Sequence, residues 1–417
     1  MKAVTRRAAL FALGLAMLGT AGGAGAQSPQ GEPLKIGFSM ALTGGLAANG
    51  KAALIAMQIW ESDVNAKGGL LGRPVKLVYY DDQSNGASIP GIYTKLLDVD
   101  KVDFVVSGYS TAAIVPAMPI VIQRKMVFLG LMGTSVNAHF NYDRYFSMIP
   151  LGDGGALQLS KGFVEVAKTI QPEPKRIAVV ALDAEFSKAA ADGIKQNLKG
   201  TGIKVVYDRT YPPSTVDFLP LVRAIQASKP DLVFLASYPV DSAGLIRAIR
   251  QTKLSASMVG GVMIGPQIGG FKQQNGPALN NLVTWDIFAP EATMKFPGVD
   301  AFLDKYRPIA AKQGVDPLGF YVPPMAYAMM EVLGQAIEAA AKPDQALVAE
   351  QLRNGTFQTI AGEIKFAANG EWAEPRSLLV QYRGIDDSGL DQFKQAGKQV
   401  ILYPEKYKSG DLAVPFQ

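Results

Sequence analysis

Gly45, Gly50 and Lys51, in the stretch TGGLAANGKAAL (residues 43–54), stand at the spacing of a phosphate-binding loop. An apolar run, LKIGFSMAL, precedes them and a helical pattern follows. Such a loop needs a Ser or Thr directly after the Lys, because that hydroxyl ligates the nucleotide's magnesium. Here the position is Ala52, so the motif lacks the oxygen its chemistry requires. Glycines between a strand and a helix also supply backbone angles other residues avoid, with no nucleotide involved. Other reactive groups are sparse. The one histidine, His139, sits in the polar segment NAHFNYDR and reads as a surface residue. There is no cysteine, hence no thiol nucleophile and no disulfide. GYSTA and GVMIG do not form a nucleophile elbow. DAEFSKAAADG lacks the alternating acids of a calcium loop. Asp81–Asp82 and Asp386–Asp387 read as solvated turn residues. Nothing supports an enzyme, and no cofactor or metal is called for.

The elements that would carry such residues begin after a leader. Lys2, Arg6 and Arg7 precede an apolar run from Ala8 to Leu18, and AGA at Ala24–Ala26 fits a small-x-small cleavage site. Residues 1–26 therefore read as a signal peptide, with export by the general or the twin-arginine route both open. The rival, a membrane anchor, wants about 20 strongly apolar residues. The whole chain has 41 Lys and Arg against 36 Asp and Glu. Without the leader's three basic residues it is nearly neutral, so its high isoelectric point does not point to nucleic acid. No second stretch is apolar enough to insert in a bilayer.

Past the leader, strands alternate with helices. LKIGFSM, VKLVYYDD, VDFVVSG and MVFLGL read as strands, with helices over Asn49–Ala66, Ala87–Asp98 and Ala112–Arg124. A second series follows SMIPLGDGG: strands KRIAVVAL, IKVVYDRTY and DLVFLAS, with helices between and after them. VTWDIFAP marks a transition, a helix spans Pro324–Ala341, GEIKFAANGEW and SLLVQY read as a hairpin and a strand, and the tail reads as a polar loop. This alternation predicts α/β architecture with parallel sheets. Ligands of such sheets bind outside the carboxyl ends of the strands. Here those ends are polar and glycine-rich: SMALTGG, SGYSTAA, LMGTSVN, VALDAEF and LASYPVD.

The segment SDVNAKGGLLGRPVKLVYYDDQSN resembles a hallmark of periplasmic solute-binding proteins for branched-chain amino acids and related solutes. FSMALTGGLAANG, VVSGYSTAAIVPAMPIV and FLGLMGTSVN resemble the family's first strand and ligand loops, in order. The resemblance implies a type I periplasmic binding protein fold, with two Rossmann-like lobes joined by three hinge crossings. On that reading the lobes divide as 32–150 (lobe I, first part), 151–285 (lobe II), 286–370 (lobe I, second part) and 371–417 (lobe II completion and tail). The crossings fall near Pro150–Gly152, near Trp285 and between Gly370 and Ser377. The implied function is that of a monomeric periplasmic receptor delivering a small solute to an inner-membrane ABC permease. A sensory module of the same fold and a periplasmic enzyme are the alternatives.

The resemblance also implies a site. Ser110 and Thr111 match a hydroxyl-bearing loop that holds the solute carboxylate. Met132, Gly133 and Thr134 match the next loop, and Asn49 matches an aromatic position of relatives. Phe186 and Tyr238 come from the second lobe. Hydroxyls and helix N-termini suit an anion without a buried cation. For Thr111 and Thr134, helix N-capping is an equal alternative. Amino-acid binders of the family place an acid in the second lobe, but MVGGVMIGPQIGG has none, and Val262 and Met263 occupy the matching positions. A buried ammonium without a partner is costly. The expectation is therefore an aromatic or hydrophobic carboxylic acid. An amino acid or amide held by Asp241 or Asp183 is the alternative.

Overall fold

A computed structural model describes residues 29–416; the leader read at residues 1–26 lies outside them. The first series runs β1 (Leu34–Met40), α1 (Ala47–Ala66), β2 (Val75–Asp81), α2 (Ile89–Asp98), β3 (Phe104–Val106), α3 (Thr111–Gln123), β4 (Phe128–Gly130), α4 (Val136–Phe140) and β5 (Tyr145–Ser147). Its five strands form one wholly parallel sheet in the order β2-β1-β3-β4-β5. The second series runs α5 (Ala156–Ala167), β6 (Arg176–Leu182), α6 (Glu185–Asn197), β7 (Lys204–Tyr211), α7 (Leu219–Ala227), β8 (Leu232–Ser237), α8 (Pro239–Thr252), β9 (Met258–Met263), α9 (Gly269–Asn275) and β10 (Val283–Asp286).

The chain then returns to the first lobe with α10 (Val299–Lys312), α11 (Val322–Ala340) and α12 (Gln345–Asn354). The glycine at 334 lets α11 lie against Trp60 of α1, where a Cβ would already meet the indole at 3.1 Å. Gln345 caps the join by accepting the Val127 N–H at 2.7 Å. A small hairpin, β11 (Phe357–Thr359) with β12 (Gly362–Ile364), precedes the last crossing. Finally β13 (Leu378–Tyr382) and β14 (Gln399–Tyr403) rejoin the second sheet, ordered β14-β13-β10-β9-β8-β6-β7.

Two expectations change here. The second sheet is mixed, because β13 pairs antiparallel with β10 and β14 antiparallel with β13. The tail is not all loop: QVILY is a buried strand whose five residues are too few to show a period. The central strands are buried on both faces, which is why they read as continuous apolar runs rather than alternating ones.

The loop that resembled a phosphate cradle has another cause. A Cβ on Gly50 would meet the Ala41 carbonyl oxygen at 2.0 Å, so only glycine lets α1 approach β1. The loop is pinned from the end of β2. The Asp81 carboxylate accepts the N–H groups of Leu42 (3.0 Å), Thr43 (3.2 Å) and Gln83 (2.8 Å) and the Thr43 hydroxyl (2.7 Å). Burial opposes its ionisation, yet these donors outweigh burial and hold its pKa below the usual value. Asp81 is thus a loop clamp rather than a free turn residue.

Candidate functional site

The two sheets face each other across a cleft, and at its floor lies a cavity of about 210 Å³. The first lobe contributes Tyr109, Ser110, Thr111 and Ala112 from the β3–α3 turn and Met132 from the loop after β4. The second lobe contributes Ala184, Glu185 and Phe186 after β6, Tyr238 after β8 and Ile264 after β9. Ile149, after β5, and Trp285, in β10, line it beside the crossings, and Tyr321 lines it from the start of α11 in the first lobe. Apart from Tyr321, every contribution lies at a strand's carboxyl end or next to a crossing, as the α/β rule requires.

Ser110 is the most constrained of these residues. Its φ of +88° with ψ of 158° falls in a region that glycine normally occupies. Its N–H donates to the Leu131 carbonyl at 3.1 Å and its carbonyl starts α3. The side chain is left out of this: Ser110 Oγ is buried without a hydrogen-bond partner. Neither Thr111 nor Thr134 caps a helix through its hydroxyl. Thr111 Oγ1 accepts the Thr134 N–H at 3.0 Å instead, tying the two first-lobe loops together. Met132 adopts a positive φ of 63°, which turns its side chain toward the cavity.

The other sequence candidates are dispersed. Gly133 packs behind the loops, where a Cβ would meet Ile114 Cδ1 at 2.4 Å, and Thr134 does not line the cavity. Asn49 lies farther out, at two adjoining parts of the cleft, near the Tyr109 hydroxyl. Val262 and Met263 are corrected: both are fully buried in β9, in register with Ala236 and Ser237, and neither reaches the cavity. The residue that does is Ile264, where the strand ends and the chain turns.

Neither alternative acid faces the cavity. Asp183 pairs with Lys188 at 2.8 Å on the surface. Asp241 is buried, and accepts the Tyr238 N–H (3.1 and 3.2 Å) and the Tyr211 hydroxyl. Burial raises its pKa. The charged side chain that does line the cavity is Glu185, exposed in the first turn of α6 and overlooked in the sequence.

The aromatic wall holds Phe186 and Tyr238, named from the sequence, and Tyr109 and Tyr321, which sequence reasoning missed. Tyr109 and Tyr321 are buried, with hydroxyls 3.3 Å apart and rings edge-on at 6.3 Å. Phe186 and Tyr238 stack at a tilt, 5.9 Å apart. Burial is the main cause raising the phenol pKa of Tyr109, Tyr238 and Tyr321. All three are neutral hydroxyls at physiological pH, able to donate to an anion. The only signals for Tyr109 and Tyr321 were adjacency to Ser110 and to the start of α11, and neither shows a period.

Two α/β lobes, each a Rossmann-like sheet, with a ligand-sized cavity between their strand ends define a two-lobed solute-binding protein of type I. The chain belongs to the periplasmic binding protein family, whose model matches residues 33–388. It is 25% identical over 373 residues to a leucine-, isoleucine-, valine-, threonine- and alanine-binding protein of Pseudomonas aeruginosa, covering 89% of this chain and 94% of that one. The fold matches a branched-chain amino acid transporter substrate-binding protein from Streptococcus pneumoniae in complex with isoleucine (TM-score 0.72, 18% identity, 89% of this chain and 100% of that one). It also matches an ABC-transporter solute-binding protein from Rhodopseudomonas palustris in complex with 3,4-dihydroxybenzoic acid (TM-score 0.71, 17% identity, 85% and 94%). These relatives are binding proteins, not enzymes, and this chain is a substrate-binding receptor. No helix among the described residues is long and apolar enough to cross a membrane.

Proposed function

We propose that this receptor serves an ABC importer from the periplasm, as a monomer, and carries an aromatic or hydrophobic carboxylic acid. The carboxylate meets Ser110, Thr111 and the N-terminus of α3, and the ring packs on Tyr109, Phe186, Tyr238, Trp285 and Tyr321. The observation that carries this reading is the unpartnered, buried Ser110 hydroxyl beside the cavity, on a backbone held in an unfavourable conformation. Such strain persists only where the surroundings over-determine it, and it clusters at ligand clamps. The lobes hinge at residues 147–152, 286–290 and 365–377. Closure by ligand contacts to both lobes is the event the permease reads.

Glu185 favours a second reading. An acid from the second lobe at the cavity is what an α-ammonium needs, so an amino acid is the competitor. Its charge is solvated, which makes it a weak partner for a buried ammonium. Isothermal titration of ligand-stripped protein against benzoate, cinnamate, leucine and phenylalanine separates the two. Binding of the acids, weakened at least about tenfold in Ser110→Ala, supports the first. Binding of the amino acids, lost in Glu185→Gln, replaces it with the second.

A further inference from the structure

The cavity is only the floor of the cleft. Beyond Tyr109 and Tyr238, which border both spaces, a larger chamber of about 770 Å³ opens toward solvent. One side is the β1–α1 turn and the start of α1 in the first lobe, at Gly45, Leu46 and Asn49. The other is one face of α8, where Val240, Ala243 and Arg247 recur at three- and four-residue spacing. The opposite face of α8, with Leu245, Ile246 and Ile249, is buried in the second lobe and fixes the helix in place.

Arg247 is the single charged residue lining this chamber. It is exposed, and it makes no ion pair, hydrogen bond or ring contact with any of the described residues. The first-lobe wall opposite offers no carboxylate: Asp81, the acid nearest that turn in the fold, is spent on its own loop. Closure would bring an unpaired guanidinium against neutral and apolar groups. That is unfavourable unless the solute supplies the counter-charge, and a guanidinium fork is suited to a carboxylate.

We infer that Arg247 is a second anion anchor, and that the solute is an elongated molecule with an acidic group at each end. One carboxylate sits on the floor at Ser110 and Thr111, the body passes Tyr109 and Tyr238, and the far carboxylate reaches Arg247. This rests on the carboxylic-acid reading above and adds the length and the second charge.

The test is titration calorimetry with a matched pair, cinnamate and 4-carboxycinnamate, on ligand-stripped protein. The wild type is expected to prefer the diacid by at least about tenfold, with a preference that shrinks as salt rises. Arg247→Gln should bring the ratio near one, and Arg247→Lys should keep part of it, since it keeps the charge but not the fork. Arg247 is exposed, so an unchanged melting temperature confirms that the variants fold. Equal affinities in the wild type, or a ratio untouched by Arg247→Gln, overturn the second anchor while leaving the carboxylic-acid reading intact. Failure of both acids to bind, with leucine binding instead, overturns both.

Discussion

At the scale of single residues, Ser110 sets two requirements against each other. Its backbone occupies a glycine region, at a cost of about 1–3 kcal/mol. Its hydroxyl is the group a solute would need. Ser110→Gly should therefore raise stability by about 1 kcal/mol in denaturant titration and weaken solute binding about tenfold. Ser110→Ala should lose the binding without gaining the stability. Equal stability of the two variants would show that the backbone strain is not real. Ser110, Thr111, Met132, Phe186 and Tyr238 were named from the family resemblance, and the structure places all five on the cavity wall, each just after a strand's carboxyl end. Val262 and Met263 were misplaced because β9 is apolar throughout, and nothing in it marks where the strand stops. Glu185 was missed because one acid in a polar helix start looks like ordinary surface.

At the scale of elements, the crossings hold buried charge. The first and third run side by side: Ser147 N–H donates to the Gly370 carbonyl at 2.8 Å and Arg376 N–H to the Pro150 carbonyl at 2.8 Å. Between them Glu371 is buried. Burial is the largest cause of its raised pKa, the nearby Asp153 adds to it, the Ser147 hydroxyl opposes it, and the result is about 7. A carboxyl with a folded-state pKa above its ordinary 4.5 stabilises the fold when protonated. That contribution is full below pH 4.5 and lost as pH rises through about 7. Glu371→Gln should thus be more stable than wild type at pH 8, by of order 2 kcal/mol, with the gap closing at pH 5. Chemical denaturation at both pH values checks this, and a pH-independent gap contradicts it. Beside the second crossing, Lys272 of α9 is fully buried. It donates to Gln399 Oε1 at 3.1 Å, among the rings of Phe320, Tyr382 and Phe393. Gln399 in turn donates to Asp286 at the end of β10 (2.6 Å). Removing only the cation takes away the nearby charge that favours ionised Asp286, which keeps only neutral donors, Gln399 and the Ile287 N–H among them. Lys272→Ala should cost about 3–5 kcal/mol, and Lys272→Met with Asp286→Asn should recover much of it in the same assay. None of this was legible, because Lys272, Asp286, Gln399, Glu371 and Ser147 are scattered along the chain.

At the scale of the whole molecule, the βα alternation was legible because strands and helices have different apolar periods. The return of the chain to the first lobe and then to the second sheet was implied by the family resemblance and not by periodicity, since α10 and α11 pack on α1 and β13 pairs with β10, all far away in sequence. That interleaving is what makes the crossings a common hinge. Trp285 reports on it: its ring lines the cavity, and its indole N–H donates to Ser377 Oγ at 2.8 Å. Ser377 donates onward to the Gln158 carbonyl of α5 at 2.6 Å, so one indole touches the site, the second crossing and the end of the third. Ligand closure must change its surroundings. Solute addition should shift the intrinsic fluorescence and reduce the radius of gyration in X-ray scattering, at the same half-saturating concentration. Trp285→Phe should remove the part of the shift that comes from the cavity, while Trp372, in the third crossing against Arg376, still reports the bend and Trp60 packs on α11, away from the cleft. Compaction should persist in that variant if the crossings, rather than this indole, set the bend. A fluorescence change without compaction would mean that the solute fills a preformed cavity and that the lobes do not close.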